Sequence, residues 1–133
     1  MYLIDTSVWI DYFRQKENEA VHFFKSLLDK NIPCGLTDII FQEILQGAAT
    51  TKDFETLSTF LATQHFFHFD DVLQSHKEAA WIYFRCKRKG VTIRSTIDCV
   101  IAQVAIEHNL TLVHNDSDFI KINGVFPDLK LYT

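Results

Sequence analysis

Five acidic residues lie at the ends of apolar segments or within apolar helical patterns, which favours a shared pocket over solvent; they are Asp5, Glu43, Asp98, Asp116 and Asp118. Carboxylates that share a pocket repel one another, and a pair about 4 Å apart costs on the order of 4 kcal/mol at an effective dielectric of about 20. Such a cluster takes up protons or binds a cation. Because every ligand in this set is an oxygen, Mg²⁺ or Mn²⁺ fits better than a metal that prefers thiolate or imidazole.

Short apolar runs alternate with segments of helical periodicity along the chain. The runs predict strands at residues 2–4, 34–36, 65–69, 110–113 and 129–132, and the periodic segments predict helices between them. This alternation is typical of an α/β fold with a mainly parallel sheet. The carboxyl ends of parallel strands share one edge of the sheet, so we expect the five acids to meet at that edge.

Helix capping is the competing explanation for some of these acids. Asp5 can be a simple turn residue before a helix that is capped by Thr6 or Ser7. Asp98, three residues after a serine, resembles the acid of a capping box, with Asp in place of Glu or Gln. Capping does not explain Glu43, which lies in the middle of a largely apolar helical segment, where an acid rarely stays unpaired.

The composition indicates a compact globular protein. With 133 residues, 47% hydrophobic residues, 4 glycines and 2 prolines, we expect a single domain over residues 1–133. No apolar run approaches the roughly 20 residues that span a membrane, and the N-terminus lacks the basic start of a signal peptide. The three cysteines are widely spaced and fit a reducing compartment, so we expect a cytoplasmic protein, with Cys99 in the core.

The distribution of charge is more informative than its sum. The net charge is −4, but setting the five acids aside leaves 13 basic against 12 acidic residues. Five basic residues fall within ten positions and form what we call the basic segment: Arg85, Lys87, Arg88, Lys89 and Arg94. The segment fits an anionic partner, but it also fits a solvated helix end whose cations favour the helix dipole.

Two further expectations concern helix faces. The long helix before the basic segment has an apolar stripe that we expect to be buried, with a hydrogen-bonded core histidine in it; the stripe is Val72, Leu73, His76, Ala79, Ala80, Tyr83 and Phe84. Eighteen aromatic residues are too many for all of them to be buried. We therefore expect an exposed apolar groove near the first helices, around Trp9, Tyr12 and Phe13.

Four motifs together resemble the PIN domain: Asp5-Thr6-Ser7 after an apolar strand, Glu43 before Gly47, Thr96-Ile97-Asp98 opening a buried helix, and the segment from His114 to Phe119 with Asp116 and Asp118. The chain length and the N-terminal start are similar to those of VapC toxins of toxin–antitoxin pairs. This resemblance covers nearly the whole chain. It implies a three-layer α/β/α fold and a metal-dependent endoribonuclease that is usually dimeric and is silenced by a VapB-type antitoxin.

The resemblance also implies roles for the site residues. Asp5, Asp98 and Asp116 become ligands of Mg²⁺ or Mn²⁺, and Glu43 becomes a ligand or a general base. Asp118 is either a direct ligand or a ligand through a bound water. Thr6 or Ser7 supports Asp5 or the phosphate, or only caps the helix.

The resemblance also implies partners. RNA is the expected substrate, with transfer RNA preferred over a ribosomal RNA loop. From its position four residues before Asp98, we expect Arg94 to bind the phosphate nearest the metal, and we expect the other cations of the basic segment to bind the RNA backbone. The groove near Trp9 would receive the antitoxin, and DNA would be contacted only indirectly, through the antitoxin.

Three other functions remain open on the sequence alone. A haloacid-dehalogenase-type phosphotransfer enzyme would use Asp5 as nucleophile, but it wants a second acid where Ser7 stands. A non-catalytic interaction module would use the acids only as caps. A flap-type DNA nuclease shares the pocket chemistry but needs additional elements for which this chain is short.

Overall fold

The computed structural model describes residues 1–132 and contains five strands and seven helices within them. The strands are β1 (Tyr2–Ile4), β2 (Cys34–Thr37), β3 (His65–Phe67), β4 (Thr111–Val113) and β5 (Lys130–Tyr132). The helices are α1 (Thr6–Phe13), α2 (Glu19–Asp29), α3 (Asp38–Gln46), α4 (Thr51–Leu61), α5 (Val72–Arg88), α6 (Thr96–Glu107) and α7 (Ser117–Val125).

The sheet has the strand order β3-β2-β1-β4-β5, and every pair of neighbouring strands is parallel. Ile4 at the end of β1 is in register with Val113 at the end of β4, and the backbone N–H of Asp5 donates to the Val113 carbonyl at 2.9 Å. The loops that follow the two strands therefore start side by side. This register confirms the expected parallel sheet and its shared carboxyl edge.

The pairing of β2 with β3 depends on the absence of a side chain at one position. A Cβ added to Gly35 would lie 2.2 Å from the carbonyl oxygen of His65, well inside van der Waals contact. Glycine is the residue that allows the two backbones to approach this closely.

Helices pack around the sheet in the three-layer α/β/α arrangement that we expected. Helix α1 packs against α2 and α3, and α3 packs against α4, whereas α5, α6 and α7 contact one another. Helix α6 is buried over most of its surface, as its nearly continuous apolar sequence predicts. The largest fully buried side chains include Trp9, Phe24, Phe119, Leu3 and Ile101.

The structure corrects two expectations about helix N-termini. Helix α1 is capped by Asp5, whose carboxylate accepts from the backbone N–H of Ser7, and not by Thr6 or Ser7. Helix α6 is capped by Ser95, whose hydroxyl accepts from the N–H of Ile97. The Asp98 carboxylate shows no hydrogen bond to another described residue, so the reciprocal half of a capping box is not formed.

The predicted buried stripe of α5 is wrong. Its buried residues are Ser75, Ala79, Ile82 and Cys86. His76 is exposed, with its ring edge-on to Phe69, and most of the large apolar residues of the predicted stripe face solvent. Small side chains at positions 75 and 79 allow α5 to lie close to α6, and the Ser75 hydroxyl donates to Glu107 of that helix at 2.5 Å.

The expectation of an exposed Trp9 is also wrong. Trp9 is only 1% exposed and packs edge-on against Phe24, with ring centroids 4.8 Å apart. Tyr12 and Phe13 are half-buried beside it. The aromatic residues of α1 therefore belong mainly to the core, and the exposed aromatic residues lie on α4 and α5.

Cys99 is buried, as predicted, and the three cysteines are free thiols. Within residues 1–132, none of the helices combines the length and the apolar character needed to cross a bilayer.

Candidate active site

The five predicted acids reach the carboxyl edge of the sheet from four separate places in the chain. Asp5 follows β1, and Asp116 and Asp118 come after β4 at the start of α7. Asp98 lies in the first turn of α6, and Glu43 lies in the middle of α3. Because β1 and β4 end in register, the segments that carry Asp5 and Asp116 leave the sheet together.

The hydroxyls of Thr6 and Ser7, which follow Asp5, form hydrogen bonds that link several segments at this edge of the sheet. The Thr6 hydroxyl donates to Glu43 Oε1 at 2.6 Å, and the Ser7 hydroxyl donates to Asp5 Oδ2 at 2.6 Å. The same Ser7 oxygen accepts from the backbone N–H of Asn115 at 3.1 Å, which ties the loop after β4 to α1. Thr6 and Ser7 thus hold two carboxylates and one loop in place, a supporting role that goes beyond local capping.

Asp116 and Asp118 form a second connected group with Arg94. Asp118 Oδ2 accepts from the backbone N–H of Arg94 at 3.0 Å and from Nε of its guanidinium at 3.3 Å. Nη2 of Arg94 lies 3.3 Å from Asp116 Oδ1, which also accepts from the N–H of Asp118 at 2.9 Å. Asp118 Oδ1 lies 3.4 Å from Nζ of Lys121. Both oxygens of the buried Asp118 carboxylate therefore face a cation.

The electrostatic state of the acids reflects this crowding. The pKa of Asp5 is raised to about 6. Burial is the main cause and the charge of Glu43 contributes, whereas the hydrogen bonds from Ser7 lower the pKa. Burial, followed by the charges of Asp116, Asp5, Asp118 and Glu43, raises the pKa of Asp98 to about 7. Asp98 is therefore close enough to all four other acids for their charges to act on it.

The pKa of Asp118 shifts in the opposite direction. Its burial raises the pKa, but hydrogen bonds from the Arg94 backbone and side chain, together with Lys121, outweigh burial and leave the pKa below its usual range. Asp118 is therefore a charged group that is paired with cations, whereas Asp98 is buried and repelled by the other carboxylates.

The donor set suits a hard divalent cation. Single oxygens of Asp98, Asp116 and Asp118 all lie within 4.8 Å of one another. Carboxylate oxygens at this spacing are the ligands that Mg²⁺ and Mn²⁺ prefer. Five carboxylates meet here against the two cations Arg94 and Lys121, so the pocket is acidic overall and suits a further cation.

A second group of potential ligands, made of Asp70, Glu107 and His108, lies at the other end of α6. Hydrogen bonds to neighbouring elements explain why these three residues lie together. Glu107 accepts from the Ser75 hydroxyl at 2.5 Å and from the backbone N–H of Asp70 at 2.8 Å, and the His108 ring contacts the carbonyl of His68. These contacts join α5 and β3 to α6, so the group is structural.

The basic segment divides into two parts. Lys87, Arg88 and Lys89 are exposed at the end of α5, and Arg85 is half-buried beside them. Arg94 instead lies at the acidic pocket, with its side chain 69% exposed but its guanidinium paired with Asp116 and Asp118. These five residues are close in the sequence, but in the fold Arg94 lies at the acidic pocket and the other four lie at the end of α5.

Two contributors to this site were not predicted from the sequence. Lys121 pairs with Asp118, three residues before it in α7, and this spacing is a recognisable helical ion-pair signal. Asn115 bonds to Ser7 through its backbone and to Asp11 through its side-chain amide at 3.2 Å. The Asn115 contacts span more than a hundred residues of sequence and carry no local signal.

Comparisons with known proteins agree with this geometry. The PIN domain family model matches residues 2–125. Ribonuclease VapC11 of Mycobacterium tuberculosis is 37% identical over 120 residues, which cover 90% of this chain and 89% of that protein. The solved structure of DNA-bound VapBC from Salmonella typhimurium has a TM-score of 0.75 at 18% identity and covers 98% of this chain and 96% of that one.

A second solved structure, FitAcB from Neisseria gonorrhoeae, has a TM-score of 0.72 at 22% identity and covers 100% of this chain and 97% of that one. At this level of identity the two solved structures establish the fold. The family model and the 37% identical relative go further, since both extend over most of the chain. The chain belongs to the PIN domain family, among the VapC ribonucleases.

Proposed function

We propose that this protein is a metal-dependent endoribonuclease that acts as the toxin of a VapBC-type pair. One observation carries the proposal: acids from four places in the chain meet at one sheet edge, where burial and then their charges raise the pKa of Asp98 to about 7. A fold that only needed helix caps would have no reason to bring them together. The relative named Ribonuclease VapC11 supports RNA as the substrate.

Asp5, Asp98 and Asp116 are the proposed ligands of Mg²⁺ or Mn²⁺. When bound, such an ion lowers the pKa of a water and neutralises charge on a scissile phosphate. Asp116 is held by the N–H of Asp118, and Asp5 by Ser7, so both carboxylates are oriented before any ion arrives. Asp118 faces Arg94 and Lys121 with its two oxygens. We therefore place Asp118 beside the ion, as the residue that positions Arg94, or as a ligand through a water.

Glu43 is the proposed general base, with a ligand role as the alternative. Its Oε1 accepts from Thr6, which leaves Oε2 as the oxygen able to take a proton from the attacking water.

Cations on either side of the pocket are proposed to hold the RNA. Arg94 lies at the acids and is suited to the phosphate nearest the metal, and the exposed Lys87, Arg88 and Lys89 continue the positive charge along the end of α5, beside Arg85. A guanidinium binds a phosphate through two parallel hydrogen bonds. Transfer RNA is the first substrate to test, followed by a ribosomal RNA loop.

A VapB-type antitoxin is the proposed protein partner, and its docking place differs from the one expected around Trp9. Residues around α1, α3 and α4 line an open, largely apolar groove with one cation and one acid in its lining; they include Ile10, Phe13, Arg14, Ile44, Asp53 and Leu57. An amphipathic segment that brings an acid to Arg14 would fit this groove. The solved VapBC and FitAcB assemblies support a partner of this kind.

We also propose that the toxin is a cytoplasmic homodimer that contacts DNA only through its antitoxin. The solved structure of DNA-bound VapBC from Salmonella typhimurium, which has the same fold, supports an assembly that includes DNA. Multi-angle light scattering of the purified toxin, alone and with its antitoxin, tests the dimer directly.

Cleavage of RNA and DNA by purified protein tests the activity. We expect cleavage of RNA with Mg²⁺ or Mn²⁺, none with a chelator, and none by Asp98→Asn in either metal. Cleavage of duplex or single-stranded DNA at a similar rate, or cleavage of RNA by Asp98→Asn, would contradict the proposal. Sequencing the RNA fragments that accumulate in cells after induction then identifies the target, since a transfer RNA and a ribosomal loop give distinct cleavage ends.

A further inference from the structure

Helix α5 exposes an apolar face on the side opposite to its core contacts. At 100° per residue, Leu73, Lys77, Trp81, Phe84 and Arg88 share one side of the helix, and the buried Ser75, Ala79, Ile82 and Cys86 lie on the other. Leu73 is 83% exposed, Trp81 is 52% exposed and Phe84 is 49% exposed. We call these five residues the aromatic face of α5. The outward side of a surface helix is normally polar, so this face needs a partner.

Its two aromatic rings are arranged together with cations. Trp81 and Phe84 stack with centroids 5.6 Å apart and planes 25° from parallel. The Arg85 guanidinium carbon lies 5.7 Å from the centroid of Trp81, and that of Arg88 lies 5.9 Å from the centroid of Phe84. Flat apolar surfaces next to guanidinium groups are the elements with which proteins bind unpaired bases and their phosphates.

The charge of α5 is also one-sided. The helix carries Lys77, Arg85, Lys87 and Arg88 but a single acid, Glu78, although the protein as a whole has a net charge of −4. Glu78 lies at the side of the face and accepts a 2.7 Å hydrogen bond from Gln103 of α6. The aromatic face is therefore locally positive and complements a polyanion.

The face leads towards the acidic pocket. The Ser75–Glu107 and Glu78–Gln103 contacts place the start of α5 against the end of α6, so the two helices run antiparallel. The last turn of α5 is then near the first turn of α6, which carries Asp98. Six residues after α5 ends, Arg94 reaches Asp118. A strand of RNA lying along the face would thus arrive at the proposed site of cleavage.

We infer that the aromatic face of α5 is a stacking platform for bases of single-stranded RNA next to the scissile phosphate. This inference rests on the proposed ribonuclease function and adds to it the surface that binds unpaired bases. Trp81 and Phe84 supply the stacking surfaces, and Arg85 and Arg88 bind the intervening phosphates. Stacking on aromatic side chains is largely independent of sequence, so the platform selects unpaired RNA and not a particular base.

A second copy of the chain is a poorer occupant of this face. Two copies whose α5 helices cross antiparallel at Trp81 would place Lys77 of one opposite Arg85 of the other, with only Glu78 to offset these cations. Like charges placed opposite each other across an interface disfavour association. An RNA backbone removes this repulsion because it carries one negative charge per nucleotide.

Tryptophan fluorescence can report on the platform directly. Trp9 is buried and Trp81 is exposed, so quenching by RNA reports on Trp81. The Asp98→Asn protein removes cleavage from the measurement, and a short single-stranded RNA of mixed sequence is the probe. We expect quenching on titration, competition by unlabelled single-stranded RNA, and little competition by a duplex of the same sequence.

Substitutions then separate stacking from charge, with affinity measured by the anisotropy of a labelled RNA. Trp81→Leu should weaken binding about five- to a hundredfold, as expected for the loss of one stacked base, and Trp81→Phe should retain most of the affinity. Because Trp81→Leu removes no charge, the salt dependence should stay unchanged, whereas Arg88→Gln should flatten it by about 0.7 in log–log slope. Phe54→Leu on α4, at an exposed aromatic residue of similar accessibility, is the matched control and should bind normally.

Three results would overturn the inference. Equal RNA affinity of Trp81→Leu and Phe54→Leu would show that the face does not bind bases. Dissociation of a dimer by Trp81→Leu, at unchanged affinity per chain, would make the face an interface between copies. Equal competition by the duplex would exclude unpaired bases. In each case wild-type protein still cleaves RNA, whereas failure of wild-type protein to bind or cleave any RNA would contradict the proposed function itself.

Discussion

The Thr6 hydroxyl donates a 2.6 Å hydrogen bond to Oε1 of Glu43 and so links the start of α1 to the middle of α3. The two residues are 37 positions apart in the sequence. Glu43 is an acid on a largely apolar helix, and this bond orients its carboxylate at the sheet edge. Thr6, which is not itself a proposed catalytic residue, thereby orients the carboxylate of the proposed general base.

Thr6→Val tests this link. Valine keeps the shape of threonine but removes the donor, so the Glu43 carboxylate loses its orientation. We expect a fall of about 10- to 100-fold in the rate of metal-dependent RNA cleavage, the usual cost of losing a supporting group. Thr6→Ser retains the hydroxyl and should cleave at close to the wild-type rate. Equal losses in both variants would indicate a packing effect instead.

Asp98→Asn should make the metal-free protein more stable at pH 8, and this advantage should nearly vanish at pH 4. The folded-state pKa of Asp98 is raised from 3.8 to about 7, so its contribution to stability is fully present below pH 3.8 and is lost progressively as the pH rises from there to about 7. Asparagine keeps the shape of the side chain but cannot ionise, so the variant avoids this loss of stability. The gain is at most about 4 kcal/mol for a shift of this size. Thermal melts in chelator at both pH values measure it. An equal melting temperature of wild type and variant at pH 8 would refute the electrostatic reading.

Divalent metal should narrow the difference in stability between wild type and Asp98→Asn. Mg²⁺ or Mn²⁺ that binds only the folded state stabilises it by about 2.7 kcal/mol at a hundredfold excess over Kd, which corresponds to several degrees in Tm for a domain of this size. We expect wild type to gain this increase and Asp98→Asn to gain less. Differential scanning calorimetry over a metal titration gives both values, and Ca²⁺ serves as a comparison ion.

Arg94→Gln should have the opposite effect on the metal-free protein. Its guanidinium pairs with Asp116 and Asp118, so its removal adds repulsion to the acidic pocket. We expect a lower Tm in chelator at pH 8, partly restored by Mg²⁺, and weaker RNA cleavage. Lys30→Gln, an exposed lysine at the end of α2, is the control for loss of a positive charge. A Tm drop that Mg²⁺ leaves unchanged would assign Arg94 to packing alone.

Neutralising the basic segment should change the salt dependence of RNA binding. Replacing Arg88 and Lys89 by Gln removes two cations from the exposed end of α5, and the slope of log affinity against log salt should flatten by about 1.4 for single-stranded RNA. Lys30→Gln combined with Lys52→Gln removes the same charge from other helices and should leave the slope close to the wild-type value. Identical slopes in the two double variants would reduce the segment to a solvated helix end.

The sequence alone determined the sheet and the position of its acids. Strands of three to four residues alternate with helices, and parallel strands must end at one edge, so the placement of Asp5, Asp98 and Asp116 followed from topology. Glu43 stood out because an acid among apolar neighbours requires a partner, and Thr6 is that partner in the fold. The strand bounds needed only small corrections, because strong periodicity depends little on tertiary contacts.

The tertiary structure decided which face of each helix is buried and which groups pair. The apolar residues of α5 have helical spacing on two sides of the helix. The side with the small Ser75 and Ala79 is buried because these residues allow close approach to α6. Trp81 and Phe84 therefore face solvent. Trp9 became core because Phe24 of α2 packs on it. Arg94 looks like one more cation of a basic segment until the fold brings Asp118, 24 residues away, to its guanidinium. Such choices depend on contacts between distant segments, whose energies no local pattern encodes.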